Sequence, residues 1–233
     1  DTFTEILKSR RFFKYYKKKK DHSYYFVLSS LLHILHGNRP YALSRRSHPL
    51  TPYSPTGERK YKNLIEKVSE KINRGLDIIY PNVFIEGNSY QGDILSSYPK
   101  LIRDIDCIIT SPPFYQSTKF YMTNWMRYWF CGWNKENFNE DTNLFIENKQ
   151  LLNINIYNNI FINFKKILKK NGLIVLHLGK NSKMDMGKEI LKIAKSHFKI
   201  IDLHNEDVSL TEKHGLRDKG SVISHQYLIL KNI

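Results

Sequence analysis

The segment from Asp106 to Tyr115 constrains the fold of this chain most strongly. Cys107 to Thr110 are typical of a short buried strand, and Ser111-Pro-Pro-Phe114 follows directly. Proline has no backbone N–H and a fixed φ, so two consecutive prolines cannot continue a central strand. The chain therefore leaves the sheet at Ser111 in a rigid, extended turn. In an α/β fold such a turn lies at the carboxyl edge of a strand, where ligands bind; an ordinary strand-ending loop is the alternative.

Hydrophobic periodicity predicts the elements around this segment. We expect helices at 3–20, 24–36, 58–74, 95–102, 120–133, 151–170 and 186–197, and strands at 83–86, 106–110, 173–178, 198–204 and 224–231. Polar stretches at 38–57, 134–149 and 205–221 predict loops, and Gly75 is expected to end the third helix. The alternation of strand and helix predicts a parallel, doubly wound α/β sheet with an antiparallel pair at one edge. The expected domains are a helical segment, 1–75, and an α/β domain, 76–233.

The charge balance points to a polyanionic partner. Lys and Arg number 37 against 22 Asp and Glu, which gives a net charge of +15. Nucleic acid is the first candidate partner and an anionic membrane surface the second. The residues expected to reach phosphate are Arg45 and Arg46 in the Pro-rich loop and Lys17, Lys18, Lys19 and Lys20 at the basic end of the first helix, 3–20. A solvated basic face and a simple linker are the alternatives for these two stretches.

Several classes of protein are not indicated by the composition. Two cysteines do not make a disulfide scaffold, and nine scattered histidines form no metal-ligand spacing, so we expect no metal site. No apolar run reaches membrane-spanning length and no signal peptide opens the chain, which predicts a soluble, cytoplasmic protein without a membrane partner. Cys107 is expected to be a core residue.

The Ser-Pro-Pro-Phe motif after a strand and before an aromatic segment resembles the amino-methylating DNA methyltransferases. Three further stretches resemble one branch of that family: Leu43 to Gly57, Tyr121 to Trp129, and His214 to Gly220 followed by His225-Gln-Tyr-Leu228. The resemblance spans about residues 40–231. It implies a Rossmann-like, S-adenosylmethionine-dependent methyltransferase fold, here partial and preceded by a helical segment, that acts on double-stranded DNA.

The resemblance also assigns roles to residues. Ser111, Pro112, Pro113 and Phe114 would form the catalytic motif: the Ser111 hydroxyl and the Pro112 carbonyl hold the amine of a flipped-out base, and Phe114 stacks on that base. Ser at the first position usually accompanies cytosine, whereas Asp or Asn accompanies adenine. Asp93 and Thr110 would contact S-adenosylmethionine, Asp93 from a strand beside that of the motif; a turn-capping role is the alternative for Asp93.

One departure from the family pattern leaves alternatives open. The Phe-x-Gly-x-Gly turn that holds the methionine part of the cofactor does not occur in this sequence. In this branch the turn would precede residue 1, so the chain resembles a C-terminal portion completed by a second chain or an N-terminal region. The candidates are a cytosine N4-methyltransferase, an adenine amino-methyltransferase, and a non-catalytic DNA-binding or partner subunit. An RNA-directed enzyme and a nuclease are less favoured.

Overall fold

The computed structural model describes residues 1–16, 18–36, 42–43, 60–96, 98–116, 119–208, 212–213, 216–217 and 222–233. The chain forms two compact units. One unit comprises residues 1–87 and 121–140, and the other comprises residues 88–120 and 141–233. The domain boundary that we placed after residue 75 stays a prediction.

The first unit is helical. Its elements are α1 (Thr2–Lys14), α2 (His22–Leu35), α3 (Leu64–Leu76), α4 (Phe120–Thr123, which begins at the unit boundary), α5 (Trp125–Phe130) and α6 (Lys135–Glu140). Side chains of Asp1, Asp21 and Asn63 accept backbone N–H groups at the first turns of α1, α2 and α3, as N-caps do. The buried core of this unit joins α1, α2, α3 and α5 through Ile6, Leu31, Ile34, Leu35, Leu64, Val68 and Phe130.

Two predicted helix ends in this unit are wrong. α1 ends at Lys14, so Lys18, Lys19 and Lys20 follow the helix instead of lying on it. Gly75 lies inside α3, which continues to Leu76, and a Cβ at position 75 would come within 2.9 Å of the Phe26 ring on α2. Glycine here permits close packing between helices and does not end one.

The predicted strand at 83–86 is also wrong. These residues have no regular structure, and the side chains of Val83 and Ile85 are 85% and 88% exposed. The apolar run matches a strand in composition, but no hydrogen-bonding partner strand pairs with it in the described part of the chain. The described residues of the predicted helix at 95–102 form turns, bends and irregular backbone instead.

The second unit is built on a four-stranded mixed sheet. The strands of this unit are β1 (Ile105–Thr110), β2 (Leu168–Asn181), β3 (Lys199–Asp207), β4 (Glu212–Lys213), β5 (Leu216–Arg217) and β6 (Val222–Lys231). The order in the four-stranded sheet is β1-β2-β6-β3, and β4 and β5 form a separate two-stranded sheet. β1 and β2 are parallel, whereas β6 runs antiparallel to both β2 and β3. The predicted antiparallel pairing is confirmed, but β6 is an inner strand and β3 lies at the edge.

The helices α8 (Ile156–Ile167) and α9 (Met186–Ala194) share one core with the sheet. Its members are buried aromatic and aliphatic side chains, among them Phe161 and Phe164 of α8, Ile190 of α9, Leu176 of β2 and Leu228 of β6. Within the described residues of this unit, both helices therefore pack on the sheet face that carries Leu176 and Leu228. The prediction of a doubly wound sheet is wrong for this part of the chain.

The opposite face of β1 is open, which corrects two expectations. Cys107 is exposed and Ile109 is 78% exposed, although we expected a wholly buried strand and a core cysteine. Side chains alternate along a strand, so Ile108 and Thr110 turn toward the helices, and Ile105 at the start of β1 also packs against this core.

The polar stretch at 134–149 is folded, not a loop. It contains α6, a 3-10 helix (Asp141–Leu144) and the start of α7 (Ile146–Leu152). Glu147 and Gln150 of α7 are buried despite their polarity. The predicted helix at 151–170 is interrupted near Asn153 and ends before β2, which begins at Leu168. Within β2, Gly172 lets the backbone of Ile105 on β1 approach closely.

Candidate functional site

A buried glutamine holds the loop that follows β1. The Gln150 side-chain N–H donates to the Pro113 carbonyl at 2.8 Å, and the Tyr157 hydroxyl donates to Gln150 Oε1 at 3.0 Å. Gln150 is 1% exposed and Tyr157 is 2% exposed, and burial raises the pKa of the Tyr157 phenol. The phenol therefore stays a protonated donor, and the chain of two hydrogen bonds fixes the Pro113 carbonyl.

The loop is held again just past the aromatic residue. The Asn181 amide donates to the Tyr115 carbonyl at 2.7 Å, and the Tyr115 N–H donates to the Met186 sulfur at 3.1 Å. Asn181 ends β2 and Met186 begins α9, so two elements meet at this residue. Phe114 thus lies between two residues whose backbones are bound to the body of the unit.

The ring of Phe114 lies against the end of β2. A Cβ added at Gly179 would come within 2.6 Å of this ring, so glycine at 179 makes room for it. The edges of His177 and His225 approach the ring, with centroid distances of 5.2 and 5.8 Å. Phe114 is half-buried, which leaves part of its ring accessible.

Ser111 faces a histidine that our sequence interpretation missed. The parallel register places Thr110 beside Leu176, so the next residues of the two strands, Ser111 and His177, share the open face of the sheet. Ser111 Oγ and His177 Nδ1 are 3.2 Å apart. Ser111 is exposed, and its hydroxyl therefore combines solvent access with a fixed partner.

A row of ring-bearing side chains continues from His177 across the sheet. His177 pairs with Tyr227 on β6, and Tyr227 pairs with His204 on β3. The rings of His177 and Tyr227 stack at 4.9 Å with an interplanar angle of 12°. The Tyr227 hydroxyl donates to Glu206 Oε2 at 3.3 Å, and burial, helped by this carboxylate, raises the pKa of the phenol. The row is polar and lies on the face that carries Ser111.

The predicted segment His225-Gln-Tyr-Leu228 places its residues on alternate faces. His225 and Tyr227 lie on the face of Ser111, whereas Gln226 is fully buried on the other. Gln226 accepts the Gly187 N–H at 2.8 Å and donates to Asp185 at 2.9 Å, so it attaches β6 to the start of α9. Gln226 therefore supports the structure of the unit, and its neighbours line the site.

The other face of the loop borders an apolar cavity of about 230 Å³. Its lining includes Thr110, Ser111 and Pro112 of this strand end, together with Tyr157 and Phe161 of α8. Ser111 belongs to the same lining, so the residue whose hydroxyl meets His177 also borders this cavity.

Asp93 follows irregular backbone and precedes a turn, and the strand at 83–86 that we expected to bring it beside the motif strand is not formed. Asp93 Oδ1 accepts the Leu95 N–H at 3.0 Å, and its Oδ2 lies 3.8 Å from the Lys149 ammonium. The hydrogen bond to the Leu95 N–H is the turn-capping contact given above as the alternative role of Asp93. The Asp93 side chain is half-exposed. A cofactor contact by Asp93 and Thr110 stays a prediction.

The residues predicted to contact DNA are only partly described. Arg45, Arg46 and Lys17 lie outside the described residues, as do most of 43–57 and of His214–Gly220. Lys18, Lys19 and Lys20 are exposed. In the same unit, α1 exposes Lys8, Arg11 and Lys14 together with Phe12 and Tyr15, whose side chains are 58% and 61% exposed.

One acidic side chain of α1 points away from this basic group. Glu5 accepts the Tyr61 hydroxyl at 2.7 Å and the Leu64 N–H at 2.8 Å. These hydrogen bonds lower the pKa of Glu5, the one to Leu64 most, and keep its carboxylate turned toward the start of α3. The exposed side of α1 that carries Lys8, Arg11 and Tyr15 is hence cationic and aromatic.

The described ranges contain neither a metal cluster nor a membrane-spanning helix. In them, no three His, Cys, Asp or Glu residues gather in a way that could hold a metal ion. No described helix is both long and apolar enough to cross a bilayer.

The comparisons with known proteins are sparse. No protein-family model matches the sequence, and no curated protein matches it. Among solved structures, the chain is similar to a protein of Thermus thermophilus described as a "Putative DNA Modification Methylase", with 13% identity and a TM-score of 0.32. The similarity covers 60% of this chain and 51% of that protein, so the chain spans about half of its length. A superposition this loose carries no argument about fold or activity.

The buried hydrogen bonds of Gln150 yield a stability prediction. Gln150→Leu leaves the Pro113 carbonyl and the Tyr157 hydroxyl without this partner, so we expect the free energy of unfolding to fall by about 2–4 kcal/mol. Tyr157→Phe alone should cost about 1–2 kcal/mol, and the double variant should cost less than the sum, by about 1 kcal/mol. Urea unfolding of the four proteins measures this coupling, with Leu152→Gln, an 86% exposed position on α7, as the control. Strict additivity would contradict the coupling.

Proposed function

We propose that this chain carries the base-binding motif of a DNA amino-methyltransferase, with the exocyclic amine of cytosine as the favoured target. One observation supports this most: the Ser111 hydroxyl lies at the carboxyl end of β1, on a loop whose backbone is fixed at Pro113 and again at Tyr115. The motif resemblance of Ser111-Pro-Pro-Phe114 provides the chemical interpretation.

The chemistry requires fixed hydrogen-bond acceptors. The lone pair of an aromatic amine is delocalised into the ring, so the amine nitrogen is a poor nucleophile. Acceptors that hold its N–H groups draw the lone pair toward the nitrogen, and they work best when they are already in place. The Ser111 hydroxyl and the Pro112 carbonyl are the proposed acceptors, and the neighbouring Pro113 carbonyl is already bound by Gln150.

The target base must leave the duplex to reach these acceptors. In the proposal, the accessible part of the half-buried Phe114 ring stacks on the flipped base. Cytosine is favoured over adenine because Ser, and not Asp or Asn, occupies the first motif position. Methylation of adenine in the same pocket is the alternative.

S-adenosylmethionine, when bound, would supply the methyl group. The residues present fit one part of it: the 230 Å³ cavity has apolar walls and the Thr110 hydroxyl at its border, which suits a purine ring, and Asp93 precedes the lining residue Ile94. The glycine turn expected for the methionine part does not occur in this sequence. We therefore propose that this chain provides the adenosine side of the cofactor site.

The cationic and aromatic side of α1 is the proposed DNA contact in the helical unit. Lys8, Arg11, Phe12, Tyr15 and Lys18 line one shallow groove. Lys and Arg bind phosphates through charge, and exposed rings stack on bases or pack against sugars. Lys19 and Lys20 extend the same charge beyond the helix.

The Ser111 hydroxyl yields the first functional prediction. Ser111→Ala should lower kcat for methylation of duplex DNA by about 10²-fold or more, because one fixed acceptor is removed. Mass spectrometry of the bases after treatment at a high S-adenosylmethionine concentration measures the product and separates N4-methylcytosine from N6-methyladenine. Ser196→Ala, at an exposed serine after α9, should act like wild type.

A DNA-binding wild-type chain that forms no methylated base would contradict catalysis by this chain alone. That result would favour the non-catalytic subunit. Equal activity of wild type and Ser111→Ala would contradict the assigned role of the motif.

The cofactor fit yields a second prediction. With only the adenosine side of the site, the isolated chain should bind S-adenosylmethionine weakly or not at all, with a dissociation constant well above the micromolar range. Isothermal titration calorimetry measures this. Micromolar binding would show that this chain holds the whole cofactor.

The basic side of α1 yields a third prediction. The triple variant Lys8→Gln, Arg11→Gln, Lys14→Gln should bind duplex DNA more weakly than wild type. Its slope of log affinity against log salt should be smaller by about 0.9 for each phosphate that the variant no longer neutralises.

Fluorescence anisotropy between 50 and 200 mM salt, about the range in which this electrostatic contribution is large, measures the slope. The matched control is Lys188→Gln, Lys192→Gln, Lys195→Gln, which removes the same charge from α9 and its end, where Lys188 and Lys192 pair with acidic residues. Equal slopes for the two triple variants would contradict a contact by α1.

A further inference from the structure

The Ser111-Pro-Pro-Phe114 motif assigns no role to His177, the residue that hydrogen-bonds to Ser111. A hydroxyl is both a donor and an acceptor, so its proton must be directed somewhere before its lone pairs can face a substrate N–H. His177 Nδ1, 3.2 Å from Ser111 Oγ, is positioned to accept that proton. In this arrangement the Ser111 lone pairs are available to the target amine.

Two neighbouring rings, those of Tyr227 and His225, hold the imidazole of His177 in place. Tyr227 stacks on it at 4.9 Å and His225 meets it edge-on at 4.8 Å. Glu206, on β3, holds the Tyr227 hydroxyl. These contacts keep the ring plane fixed while Nδ1 stays directed at Ser111.

The electrostatic surroundings keep this imidazole neutral. Burial lowers the pKa of His177, and the neighbouring His225 lowers it further, while the negative charge of Glu206 opposes both. The pKa therefore lies below 6.5, the ordinary value, and His177 is an uncharged proton acceptor at neutral pH.

The arrangement differs from the serine and histidine pair of a nucleophilic hydrolase. In such enzymes a carboxylate holds the histidine nitrogen that does not touch the serine. Here that nitrogen, Nε2, is buried without a hydrogen-bond partner among the described residues. His177 therefore contacts Ser111 but lacks the carboxylate partner of a catalytic triad. This arrangement fits a proton acceptor in methyl transfer better than the activation of Ser111 as a nucleophile.

Resting on the proposed function, we infer that His177 positions the Ser111 hydroxyl and takes up the proton that the target amine loses. The amine lone pair forms the N–CH3 bond as the S–CH3 bond breaks, with that electron pair going to sulfur. One amine proton then moves to Ser111 Oγ while the Ser111 proton moves to His177 Nδ1. The resulting imidazolium releases its proton to solvent, so the balance is one methyl group transferred and one proton released.

Two variants of His177 separate positioning from proton acceptance. Asn keeps an acceptor atom near the Nδ1 position but cannot take up a proton, whereas Phe keeps only the stack on Tyr227. We expect His177→Phe to lose about 10²-fold in kcat with an almost unchanged KM for DNA, and His177→Asn to lose about tenfold. His204→Phe, on the far side of Tyr227, is the control and should match wild type.

The pH profile of kcat provides the readout that a purely structural role would not change. As pH falls through the lowered pKa of His177, the acceptor is lost, so wild-type kcat should decline only below pH 6.5. The other titratable groups facing His177 are His225, Tyr227 and Glu206, which remain in every variant. His177→Asn should lose this acidic limb; an unchanged limb in this variant would overturn the proton role.

Nuclear magnetic resonance tests the hydrogen bond itself without any catalysis. Two-bond ¹H–¹⁵N correlations of the labelled full chain should show neutral His177 with its proton on Nε2, and Ser111→Ala should shift the Nδ1 resonance toward that of an unbonded nitrogen. A proton on Nδ1 would overturn the inference. If wild type forms no methylated base, the proposed function fails, whereas this spectrum still decides whether His177 accepts from Ser111.

Discussion

The hydrogen bond from the Gln150 amide to the Pro113 carbonyl is the contact on which the candidate site depends. A Pro-Pro segment has no N–H groups of its own, so it cannot be held by the usual strand hydrogen bonds. Its carbonyls can still accept hydrogen bonds, and a buried side-chain amide with a second partner, Tyr157, binds the carbonyl of Pro113. Asn181 and Met186 hold the other end of the loop through Tyr115. The loop is stiff because groups from α7, α8, β2 and α9 converge on it.

Alternation along the strands shapes the site. Thr110 and Ser111 both line the apolar cavity, and the Ser111 hydroxyl also meets His177, which follows the buried Leu176 on β2. On β6 the same rule buries Gln226 beneath α9 and places Tyr227 against His177. A space suited to a purine ring and a polar group suited to an amine are therefore generated by neighbouring residues of one strand end.

The errors of the sequence interpretation have physical causes. The stretch at 134–149 is polar and indicated a loop, but Gln150 just after it is buried because its amide replaces missing backbone donors. Val83 and Ile85 matched a strand, yet a strand needs a partner, and nothing in an apolar run specifies one. His177 was noted only as part of a strand, since a single histidine among aliphatic residues carries no local signal of a site.

The sequence by itself determined the strand that ends just before Ser111, the rigid turn that begins there and the presence of a hydroxyl at that point. These are consequences of proline geometry and act over a few residues. Only the tertiary structure decided what meets that hydroxyl. Ser111 and His177 are separated by 66 residues, and Gln150 lies 37 residues from Pro113. Such pairs form through the parallel register of β1 and β2 and the packing of helices on one sheet face, which depend on contacts along the whole unit and leave no local pattern.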